Sequence, residues 1–199
     1  MGNPAPEKQP ENPTESSAPS ADPEWEQTVA DQRRLDSERR AERAPWRDFP
    51  PVIRNGGLGS LKNEPEYAAA KGGDDIEAGR LVNKLLKEET VQQFREMIGD
   101  RKPVIVSVSA TESAGRNKIP LAMAQALGSR LDLPVDTDIQ QINKVSRTGS
   151  GIDHRLAFQP VFDGHVEAGR DYLIVDDTLA VGGTVAALRG YIENRGGHV

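Results

Sequence analysis

Residues 173–184 read LIVDDTLAVGGT, an apolar run that leads into two carboxylates, a turn of small residues and the start of a helical pattern. An uninterrupted apolar run of this length is typical of a strand buried on both faces of a parallel sheet. Gly182 and Gly183 allow the backbone to approach a ligand closely, and the amides at the start of the following helix favour the binding of an anion. The stretch therefore predicts an anion-binding turn beside an acid pair at the end of a strand.

Two interpretations of the acid pair lead to different functions. Aspartates at a strand end often do no more than cap a turn. Alternatively, Asp176 and Asp177 accept hydrogen bonds from sugar hydroxyls while Thr178 and Thr184 donate hydroxyls to a phosphate. The complete string, with its glycines and threonines, favours the second interpretation.

Strand and helix patterns alternate along the rest of the C-terminal half. Strands are predicted at 104–108, 133–135 and 172–175, helices at 120–131 and 184–194, and one arm of a hairpin at 156–162. This order predicts an α/β fold with a parallel, Rossmann-like sheet that binds ligands at the carboxyl ends of its strands.

The spacing Val175-Asp176-Asp177, four further residues and Gly182-Gly183-Thr184 resembles the phosphoribosyl pyrophosphate motif of type I phosphoribosyltransferases. The resemblance implies that core fold, and it implies that Asp176 and Asp177 hold the ribose 2- and 3-hydroxyls. It also implies that a seven-residue loop wraps the 5-phosphate: Thr178, Leu179, Ala180, Val181, Gly182, Gly183 and Thr184. Val181 stands where many members have threonine, which removes a hydroxyl contact of about 1 kcal/mol.

A second match follows the first predicted strand, where residues 110–117 read ATESAGRN. This is similar to the pyrophosphate loop of the family, especially the Glu-Ser-Arg-Gly form of adenine phosphoribosyltransferases, with Ala114 at the arginine position. The resemblance implies a pyrophosphate site formed by five consecutive residues: Glu112, Ser113, Ala114, Gly115 and Arg116. An ordinary turn between strand and helix is the alternative.

Residues 143–155 form a glycine-rich, basic stretch within an acidic chain. Family members place a flexible loop here, so the resemblance implies that Lys144, Arg147 and Arg155 close over the reaction centre and neutralise the leaving pyrophosphate. A solvated hairpin tip is the alternative.

The implied reaction is transfer of the phosphoribosyl group to a nitrogenous base, with release of pyrophosphate and with Mg²⁺ as cofactor. Purine salvage is the implied setting, but no residue identifies the base, and we assign neither a protein metal ligand nor a general acid. A homodimer is left open. Two rivals remain, namely a regulatory protein that senses phosphoribosyl pyrophosphate or a nucleotide without catalysis, and an interaction protein whose N-terminal half is the functional part.

The composition of the chain further limits the functional classes to which it could belong. The net charge of −6 argues against a general nucleic-acid binder, and the chain has no cysteine for a disulfide or a thiolate metal site. No apolar stretch reaches the roughly 20 residues that span a bilayer. We expect a cytoplasmic protein without a membrane partner.

Three regions are predicted along the chain. Residues 1–63 are rich in proline, glutamate and alternating charges, and are expected to be a disordered or partly helical tail and linker. Residues 64–100 predict two short amphipathic helices, an accessory segment. Residues 101–199 carry the phosphoribosyltransferase-like domain, which we expect to be incomplete because the pattern stops as a further strand begins at His198.

Overall fold

A computed structural model describes the chain over several segments, all within one compact unit that spans residues 36–199. The described residues are 44–45, 51–57, 59–108, 111–112, 115–142, 160–178 and 182–199. The predictions for most of residues 1–63, and for the hairpin arm before residue 160, lie outside these segments.

Three helices precede the sheet. They are α1 (Tyr67–Gly72), α2 (Asp75–Leu85) and α3 (Glu88–Ile98), and a 3-10 helix, Ser60–Asn63, comes before them. The sequence predicted α2 and α3 but not α1. Helix α2 begins where it does because the carboxylate of Asp74 accepts the amides of Ile76 and Glu77 at 2.9 and 3.0 Å.

Asn55, within the predicted tail and linker of residues 1–63, contacts the helices that follow. Its side-chain amide donates to the carbonyl of Leu85 at 2.8 Å, and its oxygen accepts the amide of Lys87 at 3.0 Å. Asn55 thus closes the junction between α2 and α3. The boundary between the tail and the accessory segment stays a prediction.

Three strands of the described segments form a parallel sheet: β1 (Val104–Ser107), β4 (Val135–Asp136) and β7 (Tyr172–Val175). Their order across the sheet is β4-β1-β7. Helix α4 (Ile119–Leu131) connects β1 to β4, and α5 (Gly183–Glu193) follows β7. The predicted α/β fold with a parallel sheet is confirmed.

Two short antiparallel pairs accompany the sheet. They are β2 (Thr111–Glu112) with β3 (Gly115–Arg116), and β5 (Gln140–Gln141) with β6 (Phe162–Asp163). His198 forms a single parallel bridge with Asp171, as expected for the start of a further strand.

Alternate residues of the central strands face two apolar layers. Ile105 and Val175 pack with α1 to α4 on one face, whereas Val106 and Tyr172 pack with α5 on the other. Because both faces are covered, the strands read as continuous apolar runs in the sequence. Asp176 and Asp177 follow β7 at the carboxyl end of the sheet.

Candidate functional site at the carboxyl ends of β1 and β7

The acid pair directly follows β7 and is shielded from solvent. The Asp177 side chain is only 6% exposed, and Asp176 is half-buried. The backbone amide of Asp177 donates to Oδ1 of Asp176 at 2.8 Å, which fixes the two carboxylates relative to each other. A buried acid pair needs compensating donors or cations, because burial disfavours charge.

Two side chains from distant segments supply that compensation. Nδ2 of Asn117 donates to Oδ2 of Asp177 at 2.9 Å, and Nζ of Lys71 lies 3.4 Å from the same oxygen. Asn117 stands between β3 and α4, and Lys71 lies in α1, within the accessory segment. The site therefore includes residues from both sides of the predicted domain boundary.

The pKa of Asp176 is perturbed by its surroundings. Burial raises the pKa of Asp176 to about 8, and the negative charge of Asp177 raises it as well. The Asp177 amide and Lys71 act in the opposite direction. A carboxyl whose pKa is raised in this way can donate to a ligand hydroxyl as well as accept from one.

The second predicted motif forms a tight hairpin. Thr111 pairs with Arg116 and Glu112 with Gly115, where the sequence predicted a loop. Gly115 has φ of +135°, and a Cβ there would lie well inside contact distance of the Gly72 carbonyl in α1. Only glycine fits this position, because the hairpin packs backbone against backbone. Ser113 and Ala114 lie outside the described residues, as does the side chain of Glu112.

A cavity of about 200 Å³ opens beside this hairpin. Two cations, three polar side chains and two aliphatic ones line it: Arg116, Lys118, Ser107, Thr137, Gln140, Leu121 and Ile139. Arg116 donates to Gln140, and Lys118 forms an ion pair with Asp75 at 2.9 Å. Asn117 lies between the two cations in the sequence, and its side chain contacts the acid pair.

The predicted 5-phosphate loop is described at its two ends. Thr178 is exposed after the acid pair, and Gly182 has φ of +68° as the residue that caps α5. Gly183 and Thr184 form the first turn of α5, and the carbonyl of Gly182 accepts the amide of Ala186 at 2.9 Å. Leu179, Ala180 and Val181 lie outside the described residues.

Other predicted site residues lie in segments that the structure does not describe. Lys144, Arg147 and Arg155 of the predicted closing loop belong to residues 143–159, so their role stays a prediction. Asp136, at the end of β4, accepts the amides of Asp138 and Ile139 at 2.7 and 2.9 Å. Within the described segments, no group of three or more acidic or histidine side chains could hold a metal ion.

Asn117 and Lys71 are the site residues to which sequence reasoning gave no role. Asn117 is the last residue of the second motif and is 4% exposed, so a polar residue between a glycine turn and a proline-opened helix was the available signal. Lys71 carries no such signal, since a lysine in the last turn of a short helix is usually solvated. Only the tertiary packing of α1 brings it to Asp177.

Comparison with known proteins places the chain beside two curated relatives. It is 61% identical over 165 residues to Protein TraN of Escherichia coli, a match that covers 83% of this chain and 37% of the relative. It is 39% identical over 156 residues to an uncharacterized protein of Haemophilus influenzae, covering 78% of this chain and 35% of the relative. The chain thus spans little more than a third of the length of either. No family model matches.

Solved structures with a partial likeness include three adenine phosphoribosyltransferases. The enzyme of Leishmania donovani gives a TM-score of 0.39 at 16% identity, over 83% of this chain and 63% of that chain. The enzyme of Leishmania tarentolae gives 0.38 at 15% identity, over 83% and 69%. That of Rhodothermus marinus gives 0.36 at 18% identity, over 85% and 82%. Likeness at this level does not establish a function.

Among the described helices, none has the length and apolar character needed to cross a membrane.

Proposed function

We propose that the chain binds phosphoribosyl pyrophosphate at the carboxyl ends of β1 and β7 and transfers its phosphoribosyl group to a nitrogenous base, releasing pyrophosphate. The observation that carries this proposal is the direct bond between the two sequence motifs, from Asn117 of one to Asp177 of the other. A sugar carrying phosphate at both ends needs its hydroxyls and its two anionic ends bound in adjacent positions. We assign the hydroxyls to the acid pair, and the two anionic ends to the start of α5 and to the cationic cavity.

The acid pair is assigned to the ribose. Asp177 accepts one sugar hydroxyl, and the protonated Asp176 donates to or shares a proton with the other. Because both carboxyls are fixed before a ligand binds, the sugar meets a preformed surface, which lowers the entropy lost on binding.

The two anionic ends are assigned to opposite sides of the acid pair. The start of α5, opened by Gly182, offers backbone amides and the Thr184 hydroxyl to the 5-phosphate. Arg116 and Lys118 offer their charges to pyrophosphate on the side of the cavity. During transfer the bond from the anomeric carbon to pyrophosphate oxygen breaks and a bond to the base nitrogen forms, so these cations stabilise the charge that leaves.

Magnesium fits this site as a companion of the substrate. Nζ of Lys71 and Nδ2 of Asn117 both contact Oδ2 of Asp177, and a lysine beside the carboxylate disfavours a dedicated protein cation site. The ion would be held mainly by pyrophosphate and ribose oxygens. It would supply charge neutralisation of the leaving group.

The test is calorimetric titration of the purified chain with phosphoribosyl pyrophosphate, with and without magnesium, beside ribose 5-phosphate. We expect magnesium-dependent binding of phosphoribosyl pyrophosphate and weaker binding of ribose 5-phosphate. Asp177→Asn should weaken binding by at least about tenfold, whereas the exposed control Asp163→Asn should not. A folded wild-type chain that binds neither compound would overturn the proposal.

A second candidate function is that of a regulatory protein, which binds phosphoribosyl pyrophosphate or a nucleotide without catalysis. Val181 and Ala114 favour it, because each stands where the resembled motifs carry a phosphate-binding side chain. Release of pyrophosphate against a panel of purine and pyrimidine bases separates the two. Turnover with any base supports the transferase, whereas tight binding without turnover supports the sensor.

A further inference from the structure

Helix α1 contacts both halves of the proposed site. The amide of Lys118 donates to the carbonyl of Ala70 at 3.1 Å, and the Gly72 carbonyl lies against Gly115 of the hairpin. The next residue after the helix, Gly73, lies against the backbone oxygen of Arg116. Three backbone contacts therefore fix α1 and Gly73 on the segment that carries Arg116, Asn117 and Lys118.

Lys71 lies within this fixed stretch, and its side chain is 20% exposed. Because the backbone on either side of Lys71 is held, the Cα of this lysine has a fixed position from which its side chain reaches Asp177. A lysine that is largely shielded and placed beside a carboxylate interacts with it more strongly than a surface pair does.

We propose that Lys71 is a positioning residue of the site, which holds Asp177 through Oδ2 together with Asn117 and so turns the other carboxylate oxygen toward the ligand. This role rests on the proposed function, because it takes the ligand to be a sugar whose hydroxyl meets Asp177. The helix before the sheet is then a part of the binding site.

A test of this role must distinguish the effect of Lys71 from that of the other charged groups near Asp177. Asp176 lies next to it in the chain, Lys71 faces it from α1, and Arg116 and Lys118 flank Asn117 on the opposite segment. Arg116 is engaged with Gln140 and Lys118 with Asp75, so Lys71 is the cation that the described residues place on Asp177 itself.

The decisive experiment compares Lys71→Met with Lys71→Arg and with the control Lys84→Met. Lys84 is an ion-paired lysine of the same helical region, 2.5 Å from Glu64, and it is outside the site. Carbon-13 NMR of the aspartate carboxyls in the ligand-free protein gives the titration of the acid pair. We expect Lys71→Met to move that titration upward by about one pH unit, because an opposite charge is lost. Lys71→Arg and Lys84→Met should stay near the wild type.

Affinity for phosphoribosyl pyrophosphate is measured on the same proteins. Lys71→Met should bind about tenfold more weakly, and Lys71→Arg should recover most of that loss. Circular dichroism checks the fold, and Lys71→Gln replaces the methionine variant if the latter does not fold. An unchanged acid-pair titration in Lys71→Met overturns the role of Lys71. Failure of the wild type to bind phosphoribosyl pyrophosphate, with the titration moved, overturns only the proposed function.

Discussion

Asn117 donates a hydrogen bond from Nδ2 to Oδ2 of Asp177, which lies 60 residues further along the chain. The other end of the same amide, Oδ1, accepts the backbone amide of Ile119 at 3.2 Å. One buried side chain thus joins the start of α4 to the acid pair. The bond places the end of β7 and the segment after β3 in a single site.

Asn117→Ala should lower both stability and ligand affinity. The substitution leaves the buried Asp177 with one partner fewer and removes the acceptor for Ile119, at a cost of about 1–3 kcal/mol in the free energy of unfolding. Urea denaturation measures this loss. Asn117→Asp is the sharper variant, because it sets a third carboxylate against the acid pair, and it should be less stable than Asn117→Ala at pH 8. Equal stability of the two variants would contradict the arrangement.

Asp176 should make the protein less stable as the pH rises. The pKa of this carboxyl is raised to about 8 in the folded protein, whereas in an unfolded chain an aspartate titrates near pH ~4. Between these values the folded state holds a proton that the unfolded state has lost, so the stabilisation present below pH ~4 is lost as the pH rises toward 8.

Asp176→Asn removes the titrating carboxyl but keeps the shape of the side chain. Relative to the wild type, the variant should gain about 2 kcal/mol or more between pH 5 and pH 8.5, measured by urea denaturation at the two values. A constant difference between the two proteins across this range would show that Asp176 is already ionised at pH 5.

Gly182→Ala should weaken phosphoribosyl pyrophosphate binding. Gly182 has φ of +68°, a left-handed conformation that costs a residue with a Cβ about 1 kcal/mol. Gly169→Ala is a matched control, because Gly169 has φ of +77° with open space around it and lies before β7 begins. Both variants should lose similar stability, but only Gly182→Ala should lose affinity in calorimetry. An equal loss of affinity in both would place the phosphate elsewhere.

Gly115→Ala should disturb the hairpin and α1 together. A Cβ at this position would lie 2.9 Å from the carbonyl carbon of Gly72, which is backbone and cannot rotate away. We expect a loss of about 2 kcal/mol or more in the free energy of unfolding. Gly59→Ala, with φ of +89° and no neighbour within 4 Å, should lose about half as much. Thermal unfolding of the two variants decides whether α1 packs on the hairpin.

The fold was largely predictable because its main elements have local signals. The apolar run 172–175 is the observed strand β7, and the proline-opened helix starts at Ile119, one residue from its predicted start. The short strands β2 and β3 were read as a loop. Their hairpin depends on Gly115 fitting against Gly72, which is a tertiary contact with no local pattern.

The sequence predicted the two aspartates of the site but not the residues that contact them. Asp176 and Asp177 stand out because two carboxylates directly follow a buried strand. Lys71 comes from a helix of six residues, and nothing in the neighbouring sequence indicates which face of that helix meets the sheet. Periodicity identifies a buried face of an element, but it does not identify the element that packs there.

Residues 116–118 have consequences for how the protein folds. Arg116 reaches Gln140, Asn117 reaches Asp177, and Lys118 reaches back to Asp75 and Ala70. Contacts between such distant parts of a chain form late, because the loops between them must close first. The binding site should therefore be among the last features to mature during refolding, and recovery of ligand binding should lag behind recovery of helical circular dichroism.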